Sequence, residues 1–354
     1  MKSWQGDLVT YNNENATSEN KAVFYKKKKK NGSLLTRLPV VKNFNLYRSQ
    51  VLYDDNQEKY YQMEIEDSQE MYELPEDIKE HFEELFQIHG SSNVYNQLNI
   101  RVKDWEMLQD KFVMRTSRTT YFNSMVTNRS MDVKWNNGLT TRDVYEYGPF
   151  LPKLEEEVLS NHLGFNGFVE SKDGYIPFVK RNRRVSIGKA TYGDSIGASL
   201  KTKYALNESR EFTLEGLRNG MIKEIEDQFK VSEEQLEDFS LNGNLISAYR
   251  DMVEGGKPQL LFWAKSKLTY KEIETQFKDK LKEKKKIQKS RKWDVQLQEL
   301  EDGKAFLWIP KSELRNMVIM LDRIVYAGKS YVMIPSAIAS VVMLIEFFEW
   351  KKDI

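Results

Sequence analysis

One short stretch constrains this chain more than any other, residues 215–231, which read EGLRNGMIKEIEDQFKV. Residues three and four positions apart share one face of a helix, so a helix here places Glu224, Asp227 and Gln228 side by side. Two carboxylates and an amide oxygen that project together suit a hard divalent cation such as Mg²⁺ or Mn²⁺. The same residues are also typical of an ordinary solvated amphipathic helix. The stretch therefore predicts a helix, and both interpretations of its polar face stay open.

The spacing resembles the metal-binding helix of the Nudix hydrolase superfamily. That pattern runs Gly, five residues, Glu, seven residues, Arg-Glu, an apolar residue, any residue, Glu-Glu, any residue, Gly and an apolar residue. Glu215 and Glu224 match it, Lys223 stands for the arginine and Asp227 for the first glutamate of the pair. The chain departs from the pattern at three positions, which are Ser209 for the opening glycine, Gln228 for the second glutamate of the pair and Lys230 for the closing glycine. The resemblance implies Mg²⁺ or Mn²⁺ as cofactor, with Glu224, Asp227 and a weaker Gln228 as ligands and with Glu215 and Lys223 as structural residues.

The segments that flank this helix also follow the order of elements in Nudix proteins. Residues 163–181 predict a β-hairpin with Lys172-Asp173-Gly174 as its turn. The glycine-rich segment 185–200 is similar to the strand that precedes the metal helix, and residues 247–266 and 306–314 look like later strands. The resemblance covers about residues 155–350. It implies an α/β fold, with a Nudix-like mixed sheet sandwiched between helices.

The rest of the chain predicts a second domain. With 354 residues and 40% hydrophobic content, the chain is long enough for two domains with sizeable cores. Alternating stretches in residues 46–75 predict strands, and residues 75–90 predict a helix that begins at a proline and ends at a glycine. We therefore expect an N-terminal α+β domain over residues 1–154 and the Nudix-like domain over residues 155–354.

Composition and apolar runs indicate the cellular compartment that we expect for the protein. The sequence contains no cysteine, which excludes disulfides and thiol nucleophiles and fits a reducing compartment. The first twenty residues lack the apolar run of a secretory signal. Residues 331–350 are the one membrane candidate, but about 15 apolar residues fall short of the ~20 that a span needs. We expect a cytoplasmic protein, no membrane partner and a buried terminal helix.

Two basic runs raise the question of nucleic acid. The net charge is +1, yet residues 26–30 are all lysine, and residues 278–292 hold nine basic residues. Neither run has interleaved aromatic residues for base stacking. Nucleic acid is therefore not expected as a partner, and both runs are interpreted as solvated surfaces.

Several residues outside the helix are candidates for ligand binding. Nudix relatives with degraded boxes carry Arg, Tyr and Asn in the segment before the hydrolase core, and a basic residue often ends a strand beside the pocket. The resemblance thus implies a set of substrate-binding residues, namely Arg115, Arg118, Tyr121, Asn128, Arg142, Lys180 and Arg181. For the segment that holds the first five, a hydrogen-bonded structural loop is an equal interpretation, and a solvent-facing strand end is one for the last two. Asp251 or Glu254 is the candidate for a distant acid that assists water.

These residues predict a metal-dependent pyrophosphohydrolase with Glu224, Asp227 and Glu254 as catalytic residues. Its ligand would be a nucleotide-type small molecule, a nucleoside diphosphate linked to another group such as a sugar. The alternative keeps the fold without the chemistry, as a nucleotide-binding sensor or interaction module, because Gln228 removes one negative charge from the expected metal site. A third interpretation is a basic scaffold for nucleic acid, which would need the two lysine runs to share one face.

Overall fold

The computed structural model of the chain describes residues 21–29, 32–47, 62–89, 95–108, 111–145, 151–181, 190–290 and 303–353. Its strands are β1 (Lys21–Lys29), β2 (Gly32–Asn45), β3 (Gln62–Met71), β4 (Leu98–Leu108), β5 (Lys111–Thr120), β6 (Gly164–Glu170), β7 (Tyr175–Arg181), β8 (Tyr192–Gly193), β9 (Ile196–Ser199), β10 (Leu245–Asp251), β11 (Lys257–Lys265), β12 (Gly303–Pro310), β13 (Val318–Ile319), β14 (Arg323–Tyr326) and β15 (Lys329–Val332). Its helices are α1 (Glu76–Glu80), α2 (Phe82–Gln87), α3 (Tyr121–Val126), α4 (Thr141–Tyr145), α5 (Thr202–Ala205), α6 (Leu214–Glu224), α7 (Leu241–Asn244), α8 (Tyr270–Ser290) and α9 (Pro335–Lys351). The predicted α/β class is confirmed, whereas the finer Nudix-like arrangement stays a prediction.

The largest element is a six-stranded mixed sheet in the order β1-β2-β10-β11-β6-β9. Strands β11 and β6 run parallel, and the other neighbours are antiparallel. Strand β11 alternates between two cores, because side chains on a strand point to opposite faces in turn. Leu260 and Phe262 pack with α6, whereas Leu261 and Trp263 pack with α9. Helices therefore cover both faces of the sheet.

The predicted hairpin over residues 163–181 is only partly confirmed. Its turn forms as expected, with Gly174 at φ +81°, where a glycine avoids the strain that a side chain would meet. Its two strands do not pair along their length. Strand β6 joins the six-stranded sheet between β11 and β9, whereas β7 joins a three-stranded sheet in the order β12-β7-β8. Strands β6 and β7 therefore diverge into two sheets. The glycine-rich segment contributes a strand to each of them, β8 to the sheet of β7 and β9 to the sheet of β6.

The predicted boundary near residue 154 does not separate the sheets. Strands β3, β5 and β4 form their own three-stranded sheet, as an N-terminal unit requires. Strand β2, however, pairs with β10 from Asn45↔Ser247 to Val40↔Asp251, so residues far from one another in sequence share one sheet. Strands β1 and β2 thus complete the C-terminal sheet, a long-range pairing that local sequence patterns do not reveal.

Two helical predictions have different outcomes. The predicted helix over residues 75–90 forms as two short helices, because the chain breaks at His81, and Gly90 lies outside the described residues. The apolar stretch near the end of the chain forms α9, whose residues from Ala337 to Leu344 are all buried against the sheet. In the described part of the chain, no helix has the length and apolar character that a membrane crossing requires.

Candidate functional site

Helix α6 forms where the acidic spacing predicts it. The Thr213 side chain caps its first turn by accepting a hydrogen bond from the Gly216 N–H at 3.1 Å. After Glu224 the chain continues as a single π-helical turn, Ile225–Phe229, which ends at Lys230 in the left-handed conformation with φ 68°. Lys230 occupies the position where the Nudix pattern has glycine, and its backbone adopts the conformation that favours glycine.

Glu224 is buried, and both of its carboxylate oxygens face protein donors. Its side chain is 4% exposed. The Lys201 ammonium lies 2.9 Å from Oε1 as an ion pair outside hydrogen-bond alignment, and the Gln228 Nε2 donates to Oε2 at 2.9 Å. The amide of Gln228 also exchanges hydrogen bonds with the backbone of Gly197. A cationic ammonium and an amide N–H thus meet the carboxylate that the sequence analysis expects to hold a metal.

The other residues of the box-like helix lie nearer to solvent. The Asp227 carboxylate accepts a hydrogen bond from the Tyr204 hydroxyl at 3.3 Å and lies 3.6 Å from the Lys223 ammonium. Lys223, expected as a structural residue, pairs most closely with Glu226, at 2.8 Å. Glu215 is exposed in the first turn, three turns of helix away from that lysine's partner. The hydrogen bond that the Lys223 ammonium donates to Glu226 is also the main reason that the pKa of Lys223 is raised.

A polar set of side chains gathers beside Lys201, where strand β4 meets one end of the six-stranded sheet. Asn99 and Lys201 form an antiparallel bridge, and residues in such a pair project to the same side. Asn99 is fully buried, and neither its amide oxygen nor its nitrogen has a hydrogen-bond partner among the described residues. The His162 Nε2 lies 2.8 Å from the Ser199 hydroxyl, two residues before Lys201. We call Asn99, His162, Ser199, Lys201 and Glu224 the junction site.

His162 is held in its neutral form. Burial, followed by the nearby charges of Lys257 and Arg129, lowers its pKa well below the usual value. Its Nδ1 has no partner within the described structure. The junction site therefore contains unused buried polar atoms, on Asn99 and on His162.

A second ionic cluster closes the turn between β10 and β11. The Lys257 ammonium lies 2.5 Å from Glu254 Oε2, and Arg129 Nε lies 3.6 Å from Oε1. Burial alone would raise the pKa of Glu254, but Lys257 and Arg129 outweigh it, and the net shift is downward. Burial and then the charge of Glu254 raise the pKa of Asp251 from 3.8 to about 7. We call Arg129, Asp251, Glu254 and Lys257 the turn cluster.

Two of the predicted ligand-binding arginines lie three residues apart on β5 with contrasting surroundings. Arg118 is buried, and its guanidinium binds Asp67 and the backbone oxygen of Arg210. Asp67 also accepts the N–H of Phe212, so this pair fastens the N-terminal sheet to the loop before α6. Arg115 is more exposed and faces three carboxylates, those of Glu66, Asp104 and Glu106. Both guanidinium groups are engaged by protein acids.

The remaining predicted residues divide between the turn cluster and the open strand end. Tyr121 stacks under the guanidinium of Arg129, and Asn128 donates to the backbone oxygen of Glu254 at 2.9 Å. Arg142 binds Asp132 and donates to the backbone oxygens of Met252 and Val253, each at 3.0 Å. These contacts place Tyr121, Asn128 and Arg142 around the turn between β10 and β11.

Lys180 and Arg181 are the last two residues of β7, where this strand pairs with β8. Lys180 is exposed, and its ammonium lies 5.7 Å from the centre of the Tyr192 ring. Arg181 is half-buried, and its charge acts on Asp194 and on Glu254. Burial nevertheless raises the pKa of Asp194 well above its usual value.

Sequence reasoning missed Lys201, Asn99 and the place of His162. No local spacing points to Lys201, because 23 residues separate it from Glu224 and only the sheet brings them together. Asn99 gives only a weak signal in the sequence, because it is a polar amide within a strand of alternating residues. The sequence does contain a signal for Lys257. Glu254 and Lys257 flank a Gly-Gly turn, a spacing that lets their side chains meet.

The structure also bears on metal binding. Within the described ranges, no three His, Cys, Asp or Glu side chains come together as a group that could hold a metal ion. The predicted ligand set of Glu224, Asp227 and Gln228 consists of two carboxylates and an amide. Its donors do not fit a resident Mg²⁺, however, because the Gln228 Nε2 donates a hydrogen to Glu224 and the Lys201 ammonium pairs with the other oxygen.

Comparisons with known proteins add little. No protein family model matches the sequence, and no curated protein matches it. Eight solved chains match, among them a crystal structure of DR0079 from Deinococcus radiodurans, with 12% identity over 44% of this chain and 71% of that chain. The TM-score of that match is 0.24, so it supports no inference about fold or function.

Proposed function

We propose that this chain is a nucleotide-binding module that holds its ligand at the junction site with protein cations, without hydrolysing it through a metal on α6. The observation that carries the proposal is the contact between Lys201 and the buried carboxylate of Glu224. A Nudix-type hydrolase would need that carboxylate for a cation. Here an ammonium of the chain supplies the positive charge, and the amide of Gln228 satisfies the second oxygen.

The surroundings of Lys201 supply what a nucleotide needs. The Tyr204 ring is half-buried and lies 5.8 Å from the Lys201 ammonium and 4.4 Å from that of Lys203. A half-buried aromatic ring suits a base or a ribose, and ammonium groups suit phosphate oxygens. Asn99 and His162 would offer their unused polar atoms to the ligand, since buried amides and imidazoles normally make hydrogen bonds.

Binding in the presence and absence of metal tests the proposal. Purified protein is titrated calorimetrically with ADP-ribose and UDP-glucose, first in EDTA and then in Mg²⁺, and the mixtures are assayed for released nucleoside monophosphate. The expected result is binding of at least one ligand in EDTA, with no release of monophosphate in Mg²⁺. Tyr204→Leu should weaken this binding about 10-fold or more, whereas Tyr204→Phe keeps the ring and should retain it. Binding that requires Mg²⁺ would contradict the proposal.

Asn99 gives an independent test. Substitution of a polar residue that serves a ligand should raise the stability of the unliganded protein, whereas substitution of one that serves the fold should lower it. Asn99→Leu removes two unsatisfied buried polar atoms, which cost about 1–3 kcal/mol, so the unliganded variant should be more stable and bind more weakly. Asn244 is the matched control, because its amide donates to the Trp263 oxygen at 2.7 Å and accepts from the Ser240 N–H at 2.8 Å. Asn244→Leu should destabilise the protein by a similar amount. Loss of stability in Asn99→Leu would assign that amide to the fold.

A second candidate is the metal-dependent pyrophosphohydrolase that the Nudix resemblance implies. The π-helical turn Ile225–Phe229 favours it, since such turns are frequent at functional sites and this one carries Asp227. Release of monophosphate that disappears in Glu224→Gln would support the hydrolase over the binding module.

A further inference from the structure

We infer that a pocket between α9 and β2 binds a small molecule that carries a primary ammonium group. The pocket has a volume of about 490 Å³ and is lined by Lys42, Asn45, Glu346, Glu349 and Trp350. Pockets that hold small organic ligands usually measure about 300–1,000 Å³. None of these five residues belongs to the junction site or the turn cluster, so the inference stands whether or not the proposed nucleotide binding is correct.

A β-bulge in β2 brings two of the lining side chains to one face of the sheet. Asn45 pairs with Ser247 and Lys42 pairs with Tyr249, so three steps along β2 match two steps along β10. In a regular strand, side chains three positions apart point to opposite faces. The extra residue of the bulge instead directs Lys42 and Asn45 to the same side, where both line the pocket with residues of α9. Such bulges are frequent beside functional sites, because they re-aim a side chain.

Helix α9 supplies the opposite wall of the pocket. Glu346, Glu349 and Trp350 are spaced by three and four positions, so they share one face of the helix. Trp350 is 44% exposed, and its ring packs against the rings of Tyr47 and Phe347, with centroids 5.1 Å and 6.4 Å away. These contacts position the indole ring while part of its surface stays open to a ligand.

The charges of the lining favour a cation. The lining holds two carboxylates and one ammonium, so its net charge is −1. The Lys42 ammonium lies 2.6 Å from Glu346 Oε2, and Arg315 Nε lies 3.1 Å from Glu349 Oε1. Within the described residues, the second oxygen of each carboxylate accepts no hydrogen bond. The two glutamate side chains are 37% and 48% exposed, and ion pairs that are open to water contribute little, so a ligand cation can share these carboxylates.

The indole ring and the amide of the pocket narrow the cation to a primary ammonium. A tryptophan ring attracts a cation over its face more strongly than other aromatic rings do. The Lys351 ammonium lies 4.8 Å from the centre of the Trp263 ring, whereas no cation of the described part of the chain lies over Trp350. The amide oxygen of Asn45 is buried and has no hydrogen-bond donor there. A primary ammonium supplies both the positive charge and the N–H donors that these groups lack.

Titration of the full chain with pentylamine, followed by ligand-observed nuclear magnetic resonance, tests the inference, and pentan-1-ol is the matched neutral ligand. The wild type should bind pentylamine saturably and about 10-fold more tightly than pentan-1-ol. Trp350→Leu should weaken pentylamine binding about 10-fold, and Glu349→Gln should weaken it about 3-fold. Glu76→Gln is the matched control, because Glu76 is another exposed glutamate paired with a cation, and this variant should bind as the wild type does.

Lys42→Met gives a test of opposite sign. This substitution removes the ammonium from the lining and frees the carboxylate of Glu346, so pentylamine should bind about 3-fold more tightly. A variant that merely folds badly would bind less, so the gain separates a binding pocket from a damaged structure. The inference would be overturned by a wild type that binds pentylamine no better than pentan-1-ol or not at all. Unchanged affinity in both Trp350→Leu and Lys42→Met would overturn it too.

Discussion

The junction site and the turn cluster each contain a buried glutamate carboxylate paired with a lysine, but the surroundings of the two pairs differ. Each buries a glutamate at the end of the six-stranded sheet and places a lysine against it, Lys201 against Glu224 and Lys257 against Glu254. In the turn cluster the partners lie three residues apart, and Arg129 lies 3.6 Å from the other carboxylate oxygen of Glu254. In the junction site the partners come from distant segments, and Asn99 and His162 keep polar atoms unused. The turn cluster, closed by neighbouring ion pairs, has the character of a structural staple, and the junction site is the proposed binding site.

The largest expected effect is the loss of Lys257. Lys257→Met leaves the buried carboxylate of Glu254 with only the longer contact to Arg129, and breaking a buried pair costs about 3–5 kcal/mol. Urea denaturation measures the change. If the free energy of unfolding drops by less than 1 kcal/mol, the turn cluster is not the staple described here.

The pH dependence of stability separates the two acids of the turn cluster. The pKa of Asp251 is about 7 in the folded protein against 3.8 as its ordinary value, so folding favours its protonated form. Stability from this group is fully present below 3.8 and is lost as the pH rises through about 7. The pKa of Glu254 is lowered, so its contribution is present above 4.5 and is lost as the pH falls through the lower folded value.

Asp251→Asn should therefore remove the decline in unfolding free energy between pH 4.5 and 7, which amounts to about 3 kcal/mol at ~1.4 kcal/mol per pH unit. Denaturation curves at a series of pH values measure it. An unchanged decline in the variant would place its origin in another group.

Lys201 should matter less for stability than Lys257 does. Lys201→Met removes one charged partner of Glu224, while the Gln228 amide stays in place, so we expect a loss of about 2 kcal/mol. Adding Glu224→Gln removes the uncompensated charge and should restore most of that loss. A double variant as unstable as the sum of its single variants would show that the two side chains do not interact.

The smallest effect concerns the turn that carries Glu224. Lys352, with φ 57° at the end of α9, is exposed, so Lys352→Gly should stabilise the protein by about 0.5–1 kcal/mol through relief of backbone strain alone. Lys230 has the same backbone conformation, with φ 68°, but its side chain is buried, so Lys230→Gly should give a smaller gain. Thermal denaturation compares the two variants.

Local patterns predict the elements better than the site. The acidic spacing locates α6, the apolar run locates α9, and Lys172-Asp173-Gly174 locates the turn after β6, because helices and turns depend on neighbouring residues. The addition of β2 to the C-terminal sheet depends on a pairing across more than 200 residues, which no window of sequence contains. The contact between Lys201 and Glu224 likewise joins residues 23 positions apart, and no spacing within the acidic pattern contains it.

Mn²⁺ titration followed by electron paramagnetic resonance tests the central claim most directly, since free and bound Mn²⁺ differ in their spectra. If Lys201 and Gln228 hold Glu224 as described, the wild-type protein leaves Mn²⁺ free, and the variant Lys201→Met with Gln228→Glu, which adds one carboxylate beside Glu224 and removes the competing ammonium, binds it. Tight binding of Mn²⁺ by the wild type would contradict the account if that binding disappears in Glu224→Gln. It would favour the metal-dependent hydrolase instead.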